Sequence, residues 1–303
     1  MKCLLMNKNT KVALIEYDNT YNIINKIYDM YNIDYAPLGI KNASSDKSKN
    51  LAKELNLWFR GRGIPLWRKD VESLLERLKI SATDELLDKA FSLSLSDQYW
   101  VKQETQKIEY KDINFFENDF KYKGFLAASF GTESNEPPEL YSPNNTTEGM
   151  LQKAWIIEDK RRVLIKGTYT PSRQEPINEW LASNICKRLG FDYCNYNVDL
   201  VEGKLVSKCD NFLNANQEII VAFDIFNSQS KANNMSDFDH YIKILEDHNV
   251  PNARENVENM YILDFVIMNT DRHMKNFGVI RDVNTLEWLK TTPIFDNRSS
   301  YAM

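Results

Sequence analysis

The sequence predicts an α+β chain in two parts: a small, mostly helical N-terminal module, then a longer region that opens on short strands. Three observations predict it. Apolar residues recur at helical spacing through much of residues 1–100, a polar and Pro-rich stretch at 131–138 interrupts the chain, and short apolar strands follow it.

Residues 2–17 read as two short strands around the polar turn Asn7, Lys8, Asn9, the second ending in Val12, Ala13, Leu14 and Ile15. Ile23, Ile24, Ile27 and Tyr28 recur at helical spacing, as do Leu51, Leu55, Leu57 and Trp58. The run Gly61, Arg62, Gly63, Ile64, Pro65 breaks that second helix. A third begins near Trp67 with Val71, Leu74, Leu75 and Leu78, and a fourth spans about 83–91. Residues 104–130 are mixed and aromatic-rich. The N-terminal α/β module is set at 1–130, a first lobe at 139–210 and a second at 211–303.

Within the first lobe, Ala154–Ile157, Val163–Lys166 and Leu205–Lys208 read as strands, with a turn over residues 158–161. Residues 175–189 read as a helix stopped by Gly190. In the second lobe a helix from about Ala253 runs into nine residues, 260–268, that are apolar on nearly every face, which predicts a buried helix. A polar loop, 269–276, follows, and then two apolar strands, 277–280 and 293–295, joined through Asp282, Val283 and Asn284.

The chain has 303 residues, 43% hydrophobic and 12% aromatic, enough to bury a core and to exclude disorder by composition. A net charge of −5 argues against general polyanion binding, which depends on Lys and Arg neutralising phosphates. The basic stretch Arg60, Arg62, Arg68, Lys69 is the sole hint of nucleic-acid contact, and a charged helix face explains it more simply. Four cysteines without a C-x-x-C pair, and only three histidines, give a structural zinc site little support. Scattered thiols fit a reducing cytoplasm. The apolar N-terminal stretch is too short for a signal peptide, and no run approaches the ~18 apolar residues of a membrane span, so a cytoplasmic protein is expected.

The chemistry concentrates at Asp271 and Asn276, a D-x-x-x-x-N spacing directly after the apolar helix. Phosphoryl transfer needs a carboxylate to orient the nucleophile and oxygen ligands to hold magnesium. Asp271 suits the first role; Asn276 and Asp296, the latter after the apolar segment Pro293, Ile294, Phe295, suit the second. Asp264, two turns before Asp271, is expected to brace the loop through backbone N–H groups, Arg272 or His273.

Lys166 ends the strand V-L-I-K, where it can hold nucleotide phosphates if a helix carboxylate fixes it. Glu179 is the candidate and Glu175 the competitor, which can instead cap the helix. The loop 142–149, with Ser142, Thr146, Thr147 and Gly149, can cover phosphates through backbone N–H groups, although it lacks a G-x-G-x-x-G pattern and by composition reads equally as a linker turn. Lys208, Cys209 and Asp210 follow a strand where their backbone can meet an adenine edge.

The order strand, strand, helix, strand is that of a kinase N-lobe. Four segments together resemble the HipA-like bacterial Ser/Thr kinases: V-L-I-K-G at 163–167, P-I-N-E at 176–179, N-T-D-R-H-M-K-N-F-G at 269–278 and P-I-F-D at 293–296. The resemblance covers about residues 140–303 and implies a bilobal protein-kinase-like fold using ATP and Mg2+. It places Lys166 on the phosphates, Glu179 as its ion-pair partner, Asp271 as catalytic base, and Asn276 and Asp296 on magnesium. It also implies a protein substrate with a Ser or Thr acceptor, a toxin–antitoxin context, and Ser142, Thr146 and Thr147 as candidate autophosphorylation sites. The N-terminal module matches no part of that pattern.

The chain stops seven residues after Asp296, where kinases of the resembled family continue through further helices, so the resemblance implies a truncated C-lobe. Either the chain is a fragment or another chain supplies the missing part, and an antitoxin is a separate expected partner. Two other readings stay open. One is a non-catalytic kinase-fold binding or regulatory module acting through its N-terminal helices. The other is a metal hydrolase using Asp271, His273 and Asp296, which leaves Lys166 and Glu179 without a role.

Overall fold

The computed structural model describes residues 1–169 and 173–298. The chain divides into two compact units, Met1–Lys166 and Gly167–Met303.

The first unit is built on strands. β1 (Lys2–Asn7) and β2 (Thr10–Asp18) form the expected hairpin, turning at Lys8 with φ 48°. β3 (Ile23–Met30) pairs antiparallel with β2. The helices α1 (Leu38–Ser44), α2 (Leu51–Gly61), α3 (Val71–Leu78) and α4 (Glu85–Lys89) come next, and β4 (Tyr99–Gln103) adds to the free edge of β1. The sheet order is β3-β2-β1-β4. α5 (Tyr110–Ile113) and α6 (Lys123–Phe130) precede a single 3-10 turn, Pro143–Thr146. The hairpin β5 (Lys153–Glu158) and β6 (Arg161–Lys166) closes the unit, as expected.

The mostly helical module is therefore a correction: its centre is a four-stranded antiparallel sheet. The misreading starts at β3. Ile15 and Tyr17, two apart on β2, face Ile27 and Ile24, three apart on β3, because the register shifts between Glu16 and Tyr17. That bulge turns a period of two into a spacing of three, which imitates a helix. The centre of β1, Cys3 to Met6, is continuously apolar because the sheet is covered on both faces. Cys3 and Leu5 pack with Ile15, Tyr17 and the α2 residues Leu55 and Phe59, while Leu4 and Met6 pack with Leu14, Trp100 and Phe115. α2 is capped by Asn50, whose side chain accepts from the Lys53 N–H at 3.1 Å.

The basic stretch is consumed inside this unit. Arg60 reaches Asp84 at 2.6 Å and Arg62 reaches Asp97 at 2.6 Å, while Arg68 is buried.

In the second unit, α7 (Glu175–Leu189) ends at Gly190 with φ 74°, matching the sequence reading. β7 (Tyr196–Val201) and β8 (Lys204–Asp210) form a hairpin. β9 (Gln217–Val221), α8 (Ala222–Phe226), α9 (Asp237–Asp247) and α10 (Ala253–Val266) lead to β10 (Gly278–Asp282) and β11 (Trp288–Thr291). The small sheet runs β11-β10-β9, crossed by a buried ion pair between cross-strand neighbours Arg281 and Glu218.

Two expectations are corrected here. The strand at 293–295 shrinks to one bridge, Ile294 to Tyr193, since Pro293 has no N–H for a ladder. α10 is not buried all round: Val257, Met260 and Leu263 are buried, but Phe265 is 86% exposed and Tyr261, Ile262 and Val266 are exposed with it. An apolar face states what it can pack against, not that a partner covers it. Among the described residues no helix is long and apolar enough to cross a membrane.

Candidate active site

The second unit assembles its site where α10 ends. Met268 takes φ 51°, and the Asn269 N–H bonds the Asp264 carbonyl at 2.8 Å, so the chain leaves the helix in a tight turn. The loop then runs to β10, tied to α8 by Phe223 N–H to Met274 O and Ala222 N–H to Phe277 O, each 2.9 Å. It ends at Gly278, where a Cβ would lie 2.0 Å from the Ile220 carbonyl oxygen. Only glycine allows β10 to approach β9 this closely.

Asp264 braces the loop as expected. Arg272 grips it bidentately, Nε to Oδ2 at 2.8 Å and Nη2 to Oδ1 at 2.9 Å. The same guanidinium donates to the carbonyls of Asn276 at 3.2 Å and Phe295 at 2.8 Å, and to Asn297 Oδ1 at 2.5 Å. One buried arginine thus joins helix α10, the 271–276 loop and the segment carrying Asp296. Every donor direction has an acceptor, the condition for a buried charge pair to hold without an unmet cost.

Asp271 and Asn276 are linked directly, Asn276 Nδ2 donating to the Asp271 carbonyl at 3.2 Å. That contact uses the amide nitrogen, and of the amide's two polar atoms it is the oxygen that has the lone pairs to meet a cation. Asp296 is buried with φ 58°, a left-handed conformation, and its N–H donates to the Tyr196 hydroxyl at 3.3 Å. Arg298 forks onto Asp271 Oδ2 through Nε at 3.1 Å and Nη2 at 3.0 Å, and its own carbonyl accepts from Asn178 Nδ2 at 2.9 Å. Burial depresses the Arg298 pKa, but Asp296, Asp271 and Glu179 outweigh it and the net shift is upward. Three carboxylates therefore act on one guanidinium. Glu179 is fully buried on α7 and accepts from the Ser207 hydroxyl.

Asn276 and Asp296 are hard oxygen donors of the kind magnesium takes. Among the described residues no group of three or more His, Cys, Asp or Glu could hold a metal ion. This donor set fits an ion carried in by phosphates, which magnesium commonly is, and not an all-protein cage.

Lys208 pairs with Asp199 at 2.6 Å, and that hydrogen bond holds the Asp199 carboxyl below its usual range. Cys209 is buried and Asp210 exposed at the end of β8.

In the first unit, Lys166 is the buried last residue of β6. Residues 142–147 of the loop are buried too, while Glu148 is exposed. Ser142 Oγ accepts from Asn144 N–H at 3.2 Å, Thr146 Oγ1 donates to Leu93 O at 2.8 Å, and Thr147 Oγ1 donates to Asn144 O at 3.0 Å. Modification of any of these hydroxyls requires the loop to leave its seat. Gly149 has φ 103°, and Arg68 donates to its carbonyl at 3.0 Å.

Sequence reasoning missed Arg298, Asn178 and Tyr196, and it placed Ser207 at the strand end without linking it to Glu179. Asn178 and Arg298 each sit two or fewer residues from an expected site residue, the one signal available.

The HipA-like C-terminal domain model matches residues 146–303, and the chain belongs to this family. No curated protein matches it. HipA of Shewanella oneidensis MR-1, solved with HipB and operator DNA of that toxin–antitoxin system, is similar in fold at 12% identity and TM-score 0.62, over 98% of this chain and 76% of that one. The Helicobacter pylori proinflammatory kinase CtkA aligns at 20% identity and TM-score 0.42, over 50% of this chain and 55% of its own, so the match spans about half the length of CtkA.

Proposed function

We propose that the chain is an ATP- and magnesium-dependent Ser/Thr protein kinase of the HipA-like type. The observation that carries this reading is the Arg272 hub, which ties Asp264, the Asp271–Asn276 loop and the Phe295–Asn297 segment into one rigid unit. Phosphoryl transfer asks a protein chiefly for such positioning.

In this reading the acceptor hydroxyl attacks the γ-phosphorus, the bond to the ADP oxygen breaks, and the hydroxyl proton passes to Asp271. Arg298 occupies Asp271 Oδ2, which directs the proton to Oδ1. Asn276 and Asp296 would hold magnesium, which neutralises charge on the phosphates. Lys166 is assigned to the ATP phosphates, Glu179 to pairing with it, the 142–149 loop to covering them, and the β8 end at Lys208, Cys209 and Asp210 to the adenine. These roles rest on family membership and chain order. Because the Shewanella HipA was solved with HipB, a protein partner of antitoxin type is part of the proposal.

The test is transfer from γ-labelled ATP to a protein acceptor, with and without a magnesium chelator, followed by identification of the labelled amino acid. Magnesium-dependent label on serine or threonine is expected. Transfer that persists under chelation and in Asp296→Ala would overturn the metal assignment.

A further inference from the structure

The 68–70 segment lies about eighty residues from the loop it touches, yet it follows that loop bond by bond. Arg68 Nε donates to Gly149 O at 3.0 Å and Nη1 to Thr147 Oγ1 at 3.0 Å, with Nη2 on Thr147 O. Lys69 N–H then bonds Met150 O at 3.1 Å, and Gln152 Nε2 bonds Asp70 Oδ2 at 2.9 Å. Arg68 is 4% exposed, so its guanidinium is committed to these contacts.

A second cation continues the pattern. Lys153 Nζ donates to Glu148 O at 2.8 Å, so the carbonyls of Thr147, Glu148 and Gly149 all face cationic side chains. In a trans peptide the C=O and the following N–H point in opposite directions. Fixing three successive carbonyls on cations turns the next N–H groups to the other side, the arrangement by which a loop presents N–H groups to an anion. Lys153 also lies opposite Lys166 in the β5–β6 register, which puts both side chains on one face of the hairpin. Arg68 and Lys153 therefore converge on one short stretch of chain, and Lys166 shares a hairpin face with Lys153.

We infer that Arg68 is a positioning residue for the nucleotide phosphates, setting the backbone of 147–150 from within the N-terminal module. This rests on the kinase reading proposed above. It gives a role to a module that the sequence left without one, and it makes the phosphate loop depend on residues outside the family-matched region 146–303.

The test compares magnesium and a fluorescent ATP analogue binding to the full wild-type chain, Arg68→Lys and Arg68→Gln, with Asp271→Ala as a marker of the underlying reading. Melting temperature and kinetics are measured on each. Arg68→Gln should weaken nucleotide binding about tenfold and raise the KM for ATP with kcat little changed, and Arg68→Lys, which keeps charge without the fork, should fall between. Asp271→Ala should bind as wild type and lose about 10²-fold or more of its transfer rate. Nucleotide affinity within about twofold of wild type in a folded Arg68→Gln would overturn the inference alone. Should Arg68→Gln not fold, unchanged affinity in Arg68→Lys has the same force. A wild-type chain that binds no nucleotide overturns the kinase reading itself.

Discussion

Arg298 places two nitrogens on a single oxygen of Asp271, Nε at 3.1 Å and Nη2 at 3.0 Å from Oδ2, while Asn178 on α7 holds the Arg298 carbonyl. Asn178 is the neighbour of Glu179, so the helix carrying the expected lysine partner also fixes the group that orients the expected base.

From this geometry, Arg298→Gln should lower kcat about tenfold or more while the KM for ATP changes less, because orientation of the base is lost and nucleotide contacts are kept. Steady-state kinetics at saturating acceptor separate the two. Asn178→Ala should move kcat the same way by a smaller factor. A KM effect with unchanged kcat would place Arg298 in substrate binding instead.

Asp264 and Arg272 are a buried pair with side chains 8% and 5% exposed. Asp264→Ala leaves the guanidinium buried without its carboxylate and should cost about 3–5 kcal/mol, measured by urea unfolding. Activity should fall in parallel, since the loop and the Asp296 segment share that arginine.

Gly278→Ala puts a methyl 2.0 Å from the Ile220 carbonyl oxygen, a backbone atom that cannot rotate away. β9 and β10 would have to separate, so a loss of about 1–3 kcal/mol or more is expected, read as a lowered melting temperature.

The thiols supply a pH dependence. Burial pushes Cys3 up to about 11 and Cys186 up to about 12, from an unfolded value near 9.0. Above pH 9 the unfolded chain releases these protons while the folded chain retains them, so stability should fall as pH rises from about 9 toward 12. Melting curves across that range should show less decline in Cys186→Ser, provided the variant folds. Native-state alkylation at pH 8 should be slow at both thiols.

How much was legible depended on whether local pattern and tertiary role coincide. α7 was read from Glu175 to Leu189 because its stop signal, Gly190, is local. β7 was missed although Tyr196, Val198 and Leu200 alternate with Asn197 and Asp199, and that alternation buries only Tyr196, since Asn197 through Leu200 are all exposed. β3 was read as a helix because a bulge altered its period. In the site, Asp271, Asn276 and Asp296 stood out by spacing, and Asp264 by its charge in an apolar run. Arg68 and Arg298 did not, since what marks each is a contact partner 79 and 27 residues away.

The most direct test of the central claim is label transfer from γ-labelled ATP by the wild-type chain and Asp271→Ala, with nucleotide binding measured on both. The account expects magnesium-dependent transfer by wild type and a fall of about 10²-fold or more in Asp271→Ala, at unchanged nucleotide affinity. Equal transfer by the two proteins would contradict it.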